Sequence, residues 1–238
     1  MTISILIPVY NEERTVIKII ERVEKVIFPP GVGKEIIIVD DASGDATYKK
    51  LRKYLHGRKY IKLFQHSINK GKGAAVQTAI SKAKGDIFVI QDADLEYNPS
   101  DLPRLVQPII ENKYQVVYGS RLMNFPLKLI GPGRTPLLSH YFGNKFLTLM
   151  TNVLYFKNIT DMETCYKAFA SNVIKKINIK SNRFNIEPEV TAKILKQGID
   201  IHEIPIKVNP RGYKEGKKIS WKDGFSAVWT LLKYRIID

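Results

Sequence analysis

A chain of 238 residues that is 44% hydrophobic is long enough to bury one α/β core, and it carries no low-complexity tract and no repeat of fixed period, which excludes disordered, fibrous and solenoid classes. Its single cysteine, Cys165, excludes an internal disulfide framework and makes a reducing, cytoplasmic compartment the expectation. The net charge of +15 is uneven: residues 1–120 hold 18 basic and 14 acidic side chains, residues 121–238 hold 20 and 9, a surplus that suits nucleic acid, anionic lipid headgroups or a phosphorylated substrate, and equally a solvated Lys-rich surface.

The N-terminus has no basic start and meets acidic residues at once, so it reads as a first strand, Ile3 to Val9, and not as a signal peptide. Apolar runs and segments of helical period then alternate. A helix is expected from about Glu12 to Ile27, a strand over Glu35 to Val39, a helix near Ala46 to Leu55, and a strand over Tyr60 to Gln65. A helix from about Gly73 to Lys84, a strand over Asp86 to Gln91, a helix from about Pro99 to Asn112 and a strand over Val116 to Tyr118 complete this half. The pattern predicts a Rossmann-like, mostly parallel sheet flanked by helices. Beyond it come an apolar helical stretch, Leu137 to Tyr155, a helix over Glu187 to Gln197, a strand near Ile201 to Val208, a basic loop from Arg211 to Lys218 and a terminal helix over Lys222 to Tyr234. No segment has the roughly 20 consecutive apolar residues that a spanning helix needs. One domain over 1–238 is expected, with residues 1–120 as a ligand-binding half and 121–238 as an elaboration.

In open parallel sheets ligands bind beyond the carboxyl ends of the strands, and the residues that follow each predicted strand here are acidic. Asp92 and Asp94, one residue apart after a buried run, point to one side and offer oxygen ligands to Mg²⁺ or Mn²⁺, which can bridge substrate phosphates. Turn-capping aspartates explain the same pair equally well. Asp40 is placed to accept hydrogen bonds from a ribose or base, with Asp41 or Ser43 capping the next helix. Tyr10 and Glu12 supply an aromatic face and a carboxylate at the neighbouring strand end. Lys70 and Gly71 bring a cation and backbone amides to a helix N-terminus, where a diphosphate can sit. Neither a Walker A loop nor GxGxxG is present, which removes the kinase, ATPase and dehydrogenase classes.

Ile7-Pro8-Val9-Tyr10-Asn11-Glu12, Val39-Asp40-Asp41-Ala42-Ser43, Asn69-Lys70-Gly71-Lys72-Gly73-Ala74, Gln91-Asp92-Ala93-Asp94-Leu95-Glu96 and Tyr118-Gly119-Ser120-Arg121 follow in an order that resembles family 2 glycosyltransferases, in their dolichol-phosphate mannose and glucose synthase-like branch. The resemblance implies a GT-A fold with a C-terminal acceptor-binding elaboration, a UDP- or GDP-linked sugar donor, a polyprenyl phosphate acceptor and inversion at the anomeric carbon. It makes Pro8, Tyr10, Glu12 and Asp40 nucleotide contacts, with Lys70, Gly71 and Asp92 at the diphosphate. Asp92, Asp94 and Glu96 become the metal site, Glu96 standing where related synthases often have Gln. Asp92, Asp94 and Arg121 become the catalytic set, and Arg121, Arg134 and Arg211 the acceptor-phosphate ligands. Asp161-Met162-Glu163-Thr164-Cys165-Tyr166-Lys167 and Glu187-Pro188-Glu189 resemble pocket segments, with Asp161, Thr164 and Glu189 as sugar or acceptor contacts; Cys165 replaces a Gly of the family pattern. A hydroxyl acceptor would need a base, for which Asp161 and Glu189 are available.

The basic second half fits a phosphate acceptor embedded in an anionic membrane surface, and nucleic acid is not expected, because strand-end carboxylates repel phosphates unless metal is present. Trp221, Phe225, Val228, Trp229 and Leu232 recur at helical spacing, which suits an interfacial helix and also a helix packed on the core. Peripheral attachment at the cytoplasmic face, direct or through a membrane-anchoring partner, is the expectation.

Overall fold

A computed structural model describes residues 1–123, 138–209 and 221–237. In chain order the elements are β1 (Thr2–Val9), α1 (Val16–Glu24), β2 (Gly33–Asp40), α2 (Thr47–Leu55), β3 (Ile61–Gln65), α3 (Lys72–Lys82), β4 (Ile87–Ile90), a 3₁₀ turn (Pro99–Asp101) that leads into α4 (Leu102–Ile110), and β5 (Val116–Ser120). Then follow α5 (Leu138–Tyr155), β6 (Lys167–Ala170), α6 (Ser171–Ile174), α7 (Ile186–Lys196), β7 (Ile201–Pro205) and α8 (Trp221–Ile236). The strands form one sheet in the order β3-β2-β1-β4-β6-β5-β7. All neighbours are parallel except β6, which runs antiparallel to both β4 and β5.

Both faces of the sheet are covered, so its central strands are apolar throughout instead of alternating. Ile3, Ile5, Ile7, Ile36 and Ile38 pack with α1, α2 and α4, whereas Leu6, Ile37 and Val39 face α3 and α7. A third cluster joins α5, α7 and α8 through Leu147, Tyr155, Leu195, Ala227, Leu231 and Tyr234, and the Tyr155 hydroxyl donates to the Leu231 carbonyl at 2.8 Å. The first helix is shorter than expected, since residues 12–15 form a turn in which the Glu12 carbonyl accepts from the Thr15 and Val16 amides. The strand β6 was not foreseen: it is only four residues long and begins with a lysine.

The stripe expected in the terminal helix is not its buried face: Val228 is half-buried and the other described members are exposed. Ala227, Leu231 and Tyr234 are buried, whereas Phe225, Trp229, Leu232 and Ile236 are exposed, Trp229 by 68%. The packed neighbour α5 carries a second exposed row at helical spacing, Phe142, Phe146, Leu149 and Val153. Among the described residues no helix is long and apolar enough to cross a membrane.

The N-terminus of α3 is pressed against the chain before α7. A Cβ on Gly73 would stand 2.2 Å from the Ser181 carbonyl oxygen and 2.9 Å from that of Arg183, whereas one on Gly143 in α5 would meet nothing within 4 Å. Gly143→Ala should therefore stabilise the protein by about 0.5–1 kcal/mol through helix propensity, and Gly73→Ala, although also helical, should destabilise it by about 2–3 kcal/mol through backbone overpacking. Urea unfolding midpoints of the two variants check the opposite signs.

Candidate active site

A cavity of about 370 Å³ opens where β1, β2, β4 and β5 end and where the antiparallel β6 begins. Three backbones here hold a non-glycine residue in the left-handed region, Asn11 after β1 (φ 51°), Ala42 after β2 (φ 57°) and Leu95 after β4 (φ 66°). Such conformations cost free energy and persist where surrounding contacts enforce them. Hydrogen bonds supply that enforcement: Asn11 Oδ1 accepts from the Gly44 amide at 2.8 Å, and Asp94 Oδ1 accepts from the Glu96 amide at 3.0 Å.

Of the expected nucleotide contacts, Pro8, Tyr10, Glu12, Gly71 and Asp92 line the cavity. Asp40 and Lys70 are not among the lining residues. The Asp40 carboxylate accepts from the Ser43 hydroxyl and amide and from Gln65 Nε2, while the neighbouring Asp41 reaches the cavity wall. Asp41 is itself engaged, accepting from His66 Nδ1 at 2.6 Å, Asn69 Nδ2 at 2.9 Å, and the Lys70 and Gly71 amides at 3.0 and 2.6 Å. It therefore fixes the loop before α3, where Gly71 adopts φ 100°.

Lys72, which the sequence places in the same glycine-rich stretch without a role, points inward. Its ammonium stands 3.0 Å from Asp92 Oδ1 and 3.3 Å from Glu187 Oε1, and Glu187 in turn pairs with Lys167. Burial lowers the proton affinity of Lys72, but Asp92 and Glu187 outweigh it and keep the ammonium charged well above the usual lysine range. Burial likewise pushes Glu187 up, yet Lys167 and Lys72 hold it below the ordinary carboxylate value. The four groups form a continuous chain of alternating charge from the core to the end of β4.

Asp92, Asp94 and Glu96 all line the cavity, but among the described residues no three His, Cys, Asp or Glu side chains converge closely enough to enclose a metal ion. A closed protein cage is not what Mg²⁺ requires, since it is held by one or two carboxylates together with substrate phosphates. The hard oxygen donors of Asp92 and Asp94 fit that pattern, with Glu96 beside them.

Arg121 lines the distal wall. Asp161, fully buried, holds it in a bidentate pair with Nε at 2.7 Å and Nη2 at 2.8 Å, and also accepts from the Arg121 amide. Glu203 on β7 accepts from the Thr160 and Asp161 amides and so fixes that pair from behind. Thr164 is buried away from the cavity, its hydroxyl donating to the Gly119 carbonyl at 2.6 Å. Glu189 is fully buried and accepts from the Lys180 and Ser181 amides and from Lys193, so it anchors the lip that carries Arg183 and Phe184 into the cavity. Arg134 and Arg211 lie outside the described residues; the Asn209 amide donates to the Glu96 carbonyl.

Four charged lining residues were not expected as site residues: Asp41, Lys72, Glu163 and Arg183. Residues 162 to 165 alternate, Met162 and Thr164 buried inward, Glu163 and Cys165 on the cavity wall. They lie in the turn before β6, so no strand period marks which of them faces the cavity. Burial raises Glu163 to about 7; Lys167 and Arg121 pull it down, and Glu187 and Asp161 push it up. Since the unfolded carboxyl titrates near 4.5, the folded state holds the proton to higher pH, and the contribution of this group to stability is complete below 4.5 and lost as pH rises through 7. Glu163→Gln should thus gain on the wild type between pH 5 and pH 8, by about 2 kcal/mol after allowance for partial solvent screening. Urea unfolding of both proteins across that range measures it.

Three comparisons bear on this geometry. Residues 4–177 match the family model described as Glycosyl transferase family 2. The UDP-N-acetylglucosamine–dolichyl-phosphate N-acetylglucosaminyltransferase of Methanococcus voltae is 28% identical over 98% of this chain and 96% of its own length. The dolichol-phosphate mannosyltransferase of Pyrococcus furiosus is 33% identical over 56% of this chain and 39% of its own. Among solved structures, glucosyl-3-phosphoglycerate synthase of Mycobacterium tuberculosis, crystallised with Mn²⁺, UDP and glucosyl-3-phosphoglycerate, superposes with a TM-score of 0.73 at 20% identity, covering 100% of this chain and 81% of that one. That likeness establishes the GT-A-like architecture.

Proposed function

The chain belongs to glycosyl transferase family 2, and from that premise we propose that it moves a hexose from a nucleoside-diphosphate sugar, of the UDP-glucose or GDP-mannose type, to a polyprenyl phosphate at a membrane surface. The observation that carries this is the order of groups along one cavity: an aromatic ring and carboxylate at β1, a carboxylate pair at β4, and a braced arginine at β5. Relatives named for transfer to dolichyl phosphate support the acceptor class.

In this scheme Pro8 and Tyr10 pack against the nucleoside, with Glu12 and the Asp40–Asp41 loop beside it. A divalent ion such as Mg²⁺ or Mn²⁺, held by Asp92 and Asp94 with Glu96 adjacent, would neutralise charge on the leaving diphosphate. Lys72 brings a cation to the same point, and the Gly71 backbone lies close by at the start of α3. Arg121, oriented by Asp161, positions the acceptor phosphate, with Arg134 and Arg211 joining it. A phosphate monoester has its second pKa near about 6 and is already ionised at pH 7, so it needs orientation and not a strong base. Asp161 and Glu189 accordingly serve as braces.

The exposed rows on α5 and α8 support contact with a membrane interface, where apolar side chains enter the headgroup boundary and basic ones stay at the surface. Lys233 and Arg235 flank the α8 row. Residues 1–120 and 121–238 then act as donor and acceptor halves of one domain at a cytoplasmic membrane face, attached directly or with an anchoring partner.

Thermal-shift measurements with UDP and GDP test the donor site. With Mn²⁺ one of the two should raise Tm by several degrees, about 3 kcal/mol at a hundredfold excess over Kd, and Asp92→Asn with Asp94→Asn should abolish the metal-dependent part. No shift with either nucleotide would overturn the proposal. For the surface, the protein should sediment with anionic liposomes at low salt, and Phe225→Ser with Trp229→Ser should release it by about tenfold or more in partition; soluble behaviour of the wild type would remove the membrane part.

A further inference from the structure

The scheme above leaves Glu163 without a task. Its side chain lines the cavity, yet its Oε1 atom is shut off from solvent and makes no hydrogen bond to any described residue. An unmatched buried carboxyl oxygen is costly, and inside a ligand cavity the direct explanation is a donor carried by the ligand.

Strand order says which part of the ligand that is. From the β1 and β2 ends, with Tyr10 and Asp41, the cavity passes Asp92 and Asp94 at β4 and reaches Glu163 in the turn that leads into β6, the next strand along. Neighbouring strands are about 4.8 Å apart, so a nucleoside diphosphate laid over β1 and β4 brings its terminal sugar against β6. We infer that Glu163 reads the transferred sugar, accepting a hydrogen bond from a hydroxyl or amide N–H and excluding sugars that carry a carboxylate. This rests on the nucleoside-diphosphate-sugar reading of the cavity. The exclusion follows from charge: Lys167 and Arg121, the cations that act on Glu163, are already paired with Glu187 and Asp161, so a uronate would add another carboxylate to a desolvated wall.

The test is calorimetric binding with Mn²⁺ at pH 8, where Glu163 is ionised, using UDP, UDP-glucose and UDP-glucuronate, or GDP, GDP-mannose and GDP-mannuronate if GDP is the preferred base. Wild type should bind the neutral sugar nucleotide about tenfold or more tighter than the uronate, and Glu163→Gln should shrink that ratio to about threefold with affinity for the bare diphosphate unchanged. Glu163→Ala should weaken the neutral sugar nucleotide by about tenfold relative to the diphosphate. A fall in turnover by Glu163→Gln of about a hundredfold or more with binding intact would mark a general base and overturn the inference. An unmoved discrimination ratio, with the diphosphate bound equally by all three proteins, would also overturn it and leave the cavity assignment standing. If the wild type binds neither diphosphate, the cavity assignment and this inference fall together.

Discussion

The site depends on one arrangement of buried charge, the run from Lys167 through Glu187 and Lys72 to Asp92. Charges taken out of water are tolerated only when each is paired, and here every inner member touches a partner on both sides. Because the four residues come from β6, α7, α3 and the end of β4, the run also ties together elements far apart in sequence. Asp92 is thereby held in place by an ammonium in the protein alone, which is the kind of preorganisation that electrostatic catalysis exploits.

Several acidic residues around the cavity act as braces. Asp40 and Asp41 hold the turns after β2 and before α3, Asp161 orients Arg121, Glu203 braces Asp161, and Glu189 anchors the lip before α7. A carboxylate that accepts two or more backbone or side-chain donors is a rigid loop fastener, and Asp40 in this way spans the left-handed Ala42. The acidic residues on the cavity wall are Glu12, Asp41, Asp92, Asp94, Glu96 and Glu163.

The apolar rows of α5 and α8 extend the same economy to the second half. Each helix buries one face in a shared cluster with α7 and exposes another, so a single pair of helices both supports the domain and presents an apolar surface.

The sequence by itself determined the parallel half of the fold, because long β-branched runs and helical periods are local signals that burial on both faces of a sheet reinforces. It also determined that Tyr10, Glu12, Asp92, Asp94 and Arg121 follow strands and so reach the cavity. Only the tertiary structure decided the antiparallel β6, whose four residues carry too short a pattern to read and whose first, Lys167, is buried because Glu187 lies twenty residues on. In the turn before β6 Asp161 and Thr164 stood in for Glu163, and before α3 Lys70 stood in for Lys72. Which of two neighbouring like side chains turns inward is settled by partners distant in the chain, and spacing along one segment holds no record of them.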